Sequence, residues 1–495
     1  MSQPIKIGHS SSASIYIESN MANRHGLIVG ATGSGKSVTL QVLAERFSNI
    51  GVPVFMPDVK GDLIGVSQAG ALSSEMLRKL EIRGIEPPAP AATSTMLWDI
   101  FGTDGASIGT TPGNLGPLLL SQMLGLNDVQ STILSASFKI AEDKNFKLTN
   151  LEDIKAIMGH VERDSERYID VIGRAPTSTM SAIRRCIFNF ETHGGAALFG
   201  GSDFDIGNFF EIDDQGCGII NLLSAGKIVT QPKLYSMFMF WILRTIYERL
   251  PEQGGEASPK LIFLFDEAHL LFRNASQLLV EQIEFIVRMA RSRGVCVFFI
   301  TQQPSDIPDN ILSQLGSKIF HSLRANSPRD IAVIRSISKA LTSQSGHGFE
   351  KVIPNLETGE ALFCLLDSFG RPGHTEQGYV LLPSSRLGGL AASERAELIA
   401  KSIRKRPRSE KTFSKSNQGT FMPNDIAEPP TKKSESIAAK PRHKALSVQV
   451  KHGFFQFLLE FGRLIFVGAM ALIRFLTRYL DKSARSRRGR RGKRK

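Results

Sequence analysis

The chain reads as an α/β fold: a mostly parallel sheet built around a glycine-rich loop, interrupted by a helical insertion and followed by a basic extension. Three observations carry that reading. A glycine-rich loop sits between an apolar run and a helix, a second apolar run ends in two adjacent carboxylates, and the composition changes near residue 390.

The first observation is Gly30-Ala31-Thr32-Gly33-Ser34-Gly35-Lys36-Ser37, which fits G-x-x-x-x-G-K-S/T. Leu27-Ile28-Val29 ahead of it suits a buried strand, and Val38, Val42, Leu43, Phe47 and Ile50 recur behind it at helical spacing. The chemistry needs these residue types. Gly30, Gly33 and Gly35 let the backbone turn with its N–H groups inward, so that loop and helix N-terminus offer donors and a positive dipole to polyphosphate. Lys36 is placed to reach β- and γ-phosphates, and the Ser37 hydroxyl to take one position on Mg²⁺. The octet is therefore assigned as a P-loop for polyphosphate and Mg²⁺.

Charge argues against an overall nucleic-acid-binding surface on the globular part. The 495 residues carry 60 Lys and Arg against 47 Asp and Glu, a net of +13, but residues 401–495 alone hold 25 basic against 6 acidic groups. The first 400 residues are mildly acidic, so any grip on nucleic acid there requires a local basic stripe. Cys186, Cys217, Cys296 and Cys364 are dispersed, without C-x-x-C spacing, and read as buried thiols of a reducing compartment. Met1 to Ser14 shows no apolar run behind a basic segment, and a cytoplasmic location is expected.

In chain order, residues 1–24 are expected to add a strand or two before the nucleotide fold. A strand over 52–57 leads into Asp58-Val59-Lys60-Gly61-Asp62, where a carboxylate lies either near the phosphate crevice or in a simple polar turn. These residues, 1–65, form the first part of the core. Residues 66–215 read as a helical insertion, with helical spacing over 114–126, 131–141, 151–161 and 178–193. Its Lys139, Lys144, Lys147, Arg184 and Arg185 either line a strand-binding surface or form a solvated face.

The core resumes over 216–390 with a strand at 218–223 and a long helix over 233–250. Leu261-Ile262-Phe263-Leu264-Phe265 then describes a central parallel strand ending in Asp266-Glu267. Asp266 is assigned to the Mg²⁺ shell and Glu267 to activating the attacking water. After a helix over 277–291, the strand Val295-Cys296-Val297-Phe298-Phe299-Ile300 ends in Thr301-Gln302-Gln303-Pro304, and Gln302 is the candidate γ-phosphate sensor. A strand over 318–324 and two more near 360–366 and 377–382 complete the sheet.

Residues 391–450 have the Ser, Lys and Pro content of a disordered linker. An amphipathic helix is expected over 451–482; its uncharged run Leu464 to Ile473 is far short of the ~20 residues that span a bilayer. This helix either packs against partner subunits or lies in a membrane interface. The basic tail, 483–495, suits phosphate of DNA, RNA or anionic lipid, or is simply solvated.

Together, Gly30 to Ser37, Pro57-Asp58-Val59-Lys60-Gly61-Asp62, Leu264-Phe265-Asp266-Glu267-Ala268-His269 and Ile300-Thr301-Gln302-Gln303-Pro304 resemble the HerA/FtsK superfamily of P-loop ATPases, and more closely its bacterial HerA-like group of the YjgR type, over roughly residues 5–390. The resemblance implies a RecA-like core, a homo-hexameric ring and ATP-driven movement on DNA or another polymer. It implies that Lys36, Ser37, Asp266, Glu267 and Gln302 hold the phosphate, metal, water and sensor roles. Lys318, Arg324, Arg288, Arg291 and Arg293 are candidates to reach a neighbour's nucleotide in such a ring. HerA proteins that process DNA ends carry an N-terminal β-barrel that docks a nuclease; with residues 1–24 alone ahead of the core, a nuclease partner is not expected. Three functions remain open: a DNA translocase or helicase-like motor, a membrane-peripheral secretion-type ATPase moving protein or nucleoprotein, and a nucleotide-switched scaffold. Lys36, Ser37, Asp266 and Glu267 together argue against the last.

Overall fold

The apolar runs lie side by side in the parallel part of a sheet of twelve strands among the described residues. The computed structural model describes residues 3–11, 13–168, 176–199, 204–252, 258–273, 275–341 and 348–406, all within the compact unit Met1–Thr420. The strands are β1 Pro4–His9, β2 Ser14–Glu18, β3 Gly26–Val29, β4 Val54–Asp58, β5 Thr95–Asp99, β6 Ala106–Ser107, β7 Ile220–Ser224, β8 Leu261–Phe265, β9 Val295–Thr301, β10 Ser317–Phe320, β11 Glu360–Cys364 and β12 Glu376–Val380. Their order is β2-β1-β12-β11-β10-β3-β9-β8-β4-β7-β5-β6. From β10 to β6 every pairing is parallel. The remaining pairings, from β10 outward through β11, β12 and β1 to β2, are antiparallel.

The central strands are buried on both faces, and their period of two divides the core into two clusters. Leu27, Val29, Leu261, Phe263, Phe265, Val295, Val297 and Phe299 point to one side. Ile28, Ile262, Leu264, Cys296, Phe298 and Ile300 point to the other, with Leu40, Leu43 and Phe47 of the helix Lys36–Asn49. Helices Pro232–Arg249 and Gln277–Ala290 cover the first side, together with the inserted helices Pro117–Leu124, Asp128–Asp143, Leu151–Arg163 and Thr177–Thr192. Asn127 and Asn150 start two of these inserted helices with capping boxes.

Three expectations are corrected. Residues 66–215 are not wholly helical, because β5 and β6 extend the sheet within that range. Thr95-Met96-Leu97-Trp98-Asp99 is short and follows a Pro- and Ala-rich stretch, so its pattern is weak in sequence, yet it pairs along β7 and buries Trp98. The span 391–450 does not begin as a disordered linker: Ala392–Lys405 is a helix lying on β5 and β6. Leu398 is buried there, and Ser402 Oγ accepts a 3.0 Å hydrogen bond from Leu97 N–H. One narrow apolar stripe suffices for this contact, which leaves the helix polar in composition. The strand expected over 318–324 stops at Phe320. The expected helix over 451–482 and the tail over 483–495 lie outside the described residues.

The segment before that helix is tied to the back of Lys36–Asn49. Glu45, buried, accepts hydrogen bonds from Ser384 N–H (2.8 Å), Ser385 N–H (2.9 Å) and the Ser385 hydroxyl. Gln41 adds 2.6 Å to Ser385 Oγ and 2.8 Å to Arg386 O. Glu45→Ala leaves these donors facing a buried gap, and we expect a loss of ~2–3 kcal/mol in unfolding free energy, read as a lower urea midpoint.

Candidate functional site

The parallel block brings four loops to one edge, since β3, β9, β8 and β4 are adjacent and all run the same way. Val29 stands opposite Thr301 and Phe265 opposite Phe299, so Gly30, Asp266 and Gln302 leave neighbouring strand ends. The glycine-rich loop is pinned to both flanks: Gly30 N–H donates to Thr301 O (3.3 Å) and Ala31 N–H to Ser322 O (2.8 Å). On its far side, Gly359 N–H donates to Ser34 O (3.0 Å).

The loop is a cradle that only glycine permits. A Cβ on Gly30 would stand 2.4 Å from Ser34 Oγ and 2.6 Å from His321 Cβ, and Gly35 has φ +114 with Gly359 backbone 3.1 Å away. Lys36 is buried, and its ammonium donates to Gly30 O (2.7 Å) and Ala31 O (3.0 Å). Burial lowers its pKa, against the nearby charges of Glu267 and Asp266. The Ser34 hydroxyl is buried without a hydrogen-bond partner among the described residues, and Ser37, half-buried, is the second residue of the helix Lys36–Asn49.

Asp266 and Glu267 follow β8 directly and are 3% and 6% exposed. Burial first, and then the adjacent Glu267 charge, raise the Asp266 carboxyl to about 6. Such a group is poised to be ionised by a cation. Glu267 has φ +47, a conformation that ordinary residues rarely adopt, and the flanking Ala268 N–H is held by Ile300 O at 2.8 Å. Its Oε1 receives the Lys60 ammonium at 2.6 Å. Burial alone would raise this carboxyl, but the Lys60 hydrogen bond and charge, with His269 and Lys36, hold it below its ordinary value. Asp58, which ends β4, caps its turn by accepting from Gly61 N–H at 2.7 Å, and burial raises it to about 6.

Gln302 is exposed and lines a groove of about 300 Å³ with Ala31, Thr32, Leu323 and Arg324. Its loop is braced by Asp306, which accepts from the Thr301 hydroxyl (2.5 Å) and Gln303 N–H (3.1 Å). The basic candidates separate by surroundings. Arg324 lies in the protomer's own groove. Arg293 is committed internally, donating to Tyr247 O and Leu250 O above the Tyr247 ring. Arg291 sits half-buried near Arg24, Lys318 is half-buried within β10, and Arg288 is exposed over Phe285. In the insertion, Lys139 pairs with Glu142 and Asp143, and Arg184 with Glu162, which neutralises two of the five suspected basic groups.

Sequence reasoning missed His321. Buried under the loop, its Nε2 meets Thr39 Oγ1 at 2.8 Å and its Nδ1 meets Glu360 O at 3.1 Å, while burial lowers it to about 4, so the ring is neutral. A single histidine in an apolar run carries no signal of this position.

The family model described as helicase HerA-like C-terminal matches residues 3–449. The chain belongs to this family. Among curated HerA-like relatives, the DNA double-strand break repair helicase HerA of Sulfolobus acidocaldarius is 23% identical over 369 residues, covering 71% of this chain and 64% of the relative. The protein of the same name from Sulfurisphaera tokodaii is 24% identical over 371 residues, covering 72% and 66%. The chain thus spans just under two thirds of the length of these relatives. Among solved structures, the bacterial conjugative coupling protein TrwB, without its first residues, matches with a TM-score of 0.51 at 16% identity, covering 78% of this chain and 91% of that one. The plasmid coupling protein TrwB in complex with a non-hydrolysable GTP analogue gives 0.51 at 15%, covering 78% and 92%. This HerA-like chain has the RecA-like P-loop ATPase fold.

Asp58 and Asp266, raised from 3.8 to about 6, favour the fold when protonated. That contribution is full below the ordinary value and is lost as pH rises through about 6. In metal-free protein, Asp266→Asn is expected to be more stable than wild type at pH 7, with the difference shrinking from about pH 6 to pH 4, as urea midpoints across that range would measure.

Proposed function

We propose that this chain is an ATP-hydrolysing ring motor of the HerA/FtsK type that translocates DNA as a homo-hexamer. The observation that carries the proposal is the convergence of the Gly30–Ser37 cradle, the buried Asp266-Glu267 pair and the exposed Gln302 at one edge of a parallel sheet. In this reading the loop N–H groups and Lys36 bind the β- and γ-phosphates, while Ser37 and Asp266 are the protein ligands of Mg²⁺. Mg²⁺ takes one or two protein oxygens and completes its shell with water and phosphate, and the buried, raised Asp266 carboxyl suits that set. Held there, Mg²⁺ would supply neutralisation of phosphate charge. Glu267 takes the proton of the attacking water, and Gln302 faces the γ-phosphate from the neighbouring strand end.

DNA as the polymer is supported by the names of the HerA relatives. The acidic balance of residues 1–400 requires that contact be local, through a few aligned basic groups. Among the described residues no helix is long and apolar enough to cross a membrane.

Lys36→Ala is expected to weaken ATP binding by ~100-fold or more, measured by calorimetry, and an unchanged affinity would remove the phosphate role. Glu267→Gln is expected to bind ATP normally while turnover falls ~10²–10⁴-fold, and wild-type turnover would reassign the general base. DNA as substrate is tested by ATP turnover of the full chain and of a chain ending at residue 406, with single- and double-stranded DNA at two salt concentrations. Stimulation of both proteins that weakens as salt rises would support the translocase; if DNA leaves both rates at the basal level, another polymer is the substrate.

A further inference from the structure

The segment Asp58-Val59-Lys60-Gly61-Asp62 leaves β4 beside the strand that ends in Asp266-Glu267. Its lysine forms an ion pair with Glu267 in the site just described. Lys60 keeps about half of its side chain exposed, yet its ammonium comes to rest 2.6 Å from the buried Glu267 Oε1. The two oxygens of Glu267 are thereby made unequal. Oε1 is occupied, whereas Oε2 is buried with no hydrogen-bond partner among the described residues. His269 Nδ1 is 3.4 Å from Oε2, without hydrogen-bond geometry.

We propose that Lys60 is a positioning residue for the water-activating carboxylate: it anchors Glu267 through Oε1, so that Oε2 is the oxygen left to accept the proton of the attacking water. This rests on the reading of the site as an ATP-hydrolysing centre. The argument is geometric. A glutamate has three rotatable side-chain bonds, and at φ +47 the backbone of Glu267 already departs from the usual strand or helix directions. The Ala268–Ile300 hydrogen bond fixes the backbone that follows it, and Lys60 fixes the end of the side chain. A buried carboxylate oxygen without a donor is costly unless it meets one, and a water in line with the γ-phosphate is the donor the proposed reaction supplies. Anchoring one oxygen also aims the lone pairs of the other, which is what proton transfer in a bound complex requires. Lys60 touches neither phosphate nor water in this account. It acts through Glu267.

The test uses the full chain and four variants: Lys60→Met, Lys60→Arg, Glu267→Gln and the Lys60→Met/Glu267→Gln double. ATP turnover gives kcat and KM, and ATP affinity measured by calorimetry shows that each variant is folded. We expect Lys60→Met to lower kcat ~10–100-fold with KM and affinity changed less than about twofold, and Lys60→Arg to recover most of the loss. In the Glu267→Gln background, adding Lys60→Met is expected to change the residual rate by less than about twofold. An unchanged or raised kcat in Lys60→Met would overturn the proposal. So would a rise in KM alone, which would make Lys60 a phosphate ligand, or an equal loss in both backgrounds, which would place its action elsewhere. Absence of ATP turnover in the wild-type chain would instead overturn the function on which the proposal rests.

Discussion

The structure depends on the parallel pairing of β3, β9 and β8. These strands are short, apolar on both faces and in fixed register, so the residue following each last pair has little freedom in where it emerges. Gly30, Gln302 and Asp266 occupy those places. The chemistry of the site is thus set by strand length as much as by side-chain identity: one residue more or fewer in β8 would turn Asp266 away from the phosphate loop. The clusters on the two faces of the sheet are its foundation, since they immobilise the strands from both sides.

Around this frame, polar groups are buried where they restrain backbone. His321 bridges Thr39 and the chain at Glu360, the Asp306 carboxylate draws in the loop after β9, and Gly359 closes on Ser34. His321 and Gly359 join the phosphate loop and its helix to elements distant in sequence, while Asp306 holds its own loop locally. A loop so held meets its ligand with little conformational freedom left to lose, which favours binding and orientation together.

Much of this was legible in the sequence, for identifiable reasons. The phosphate loop announces itself by its Gly and Lys spacing, and Asp266-Glu267 because a run of five buried apolar residues leading into a polar tip has few structural solutions. The inserted helices were legible through their period. What escaped was of two kinds. β6 has only two residues, β5 offers only three consecutive apolar residues behind a Pro- and Ala-rich stretch, and the helix Ala392–Lys405 buries a single stripe, so each is too short or too polar to register. Lys60, His321 and Glu45 act through partners 207, 282 and 340 residues away, and no local pattern encodes such a pairing.

The helix Ala392–Lys405 also carries the folded unit beyond residue 390. β6 is a two-residue edge strand, and beside it β5 donates its Leu97 N–H to Ser402. A polypeptide shortened to residue 390 would bare Leu97 and the unpaired rim of the sheet, a surface that recruits other strands and drives self-association. The boundary at which composition turns basic and polar is therefore not the boundary of the fold, and a soluble minimal fragment must retain residues through 406.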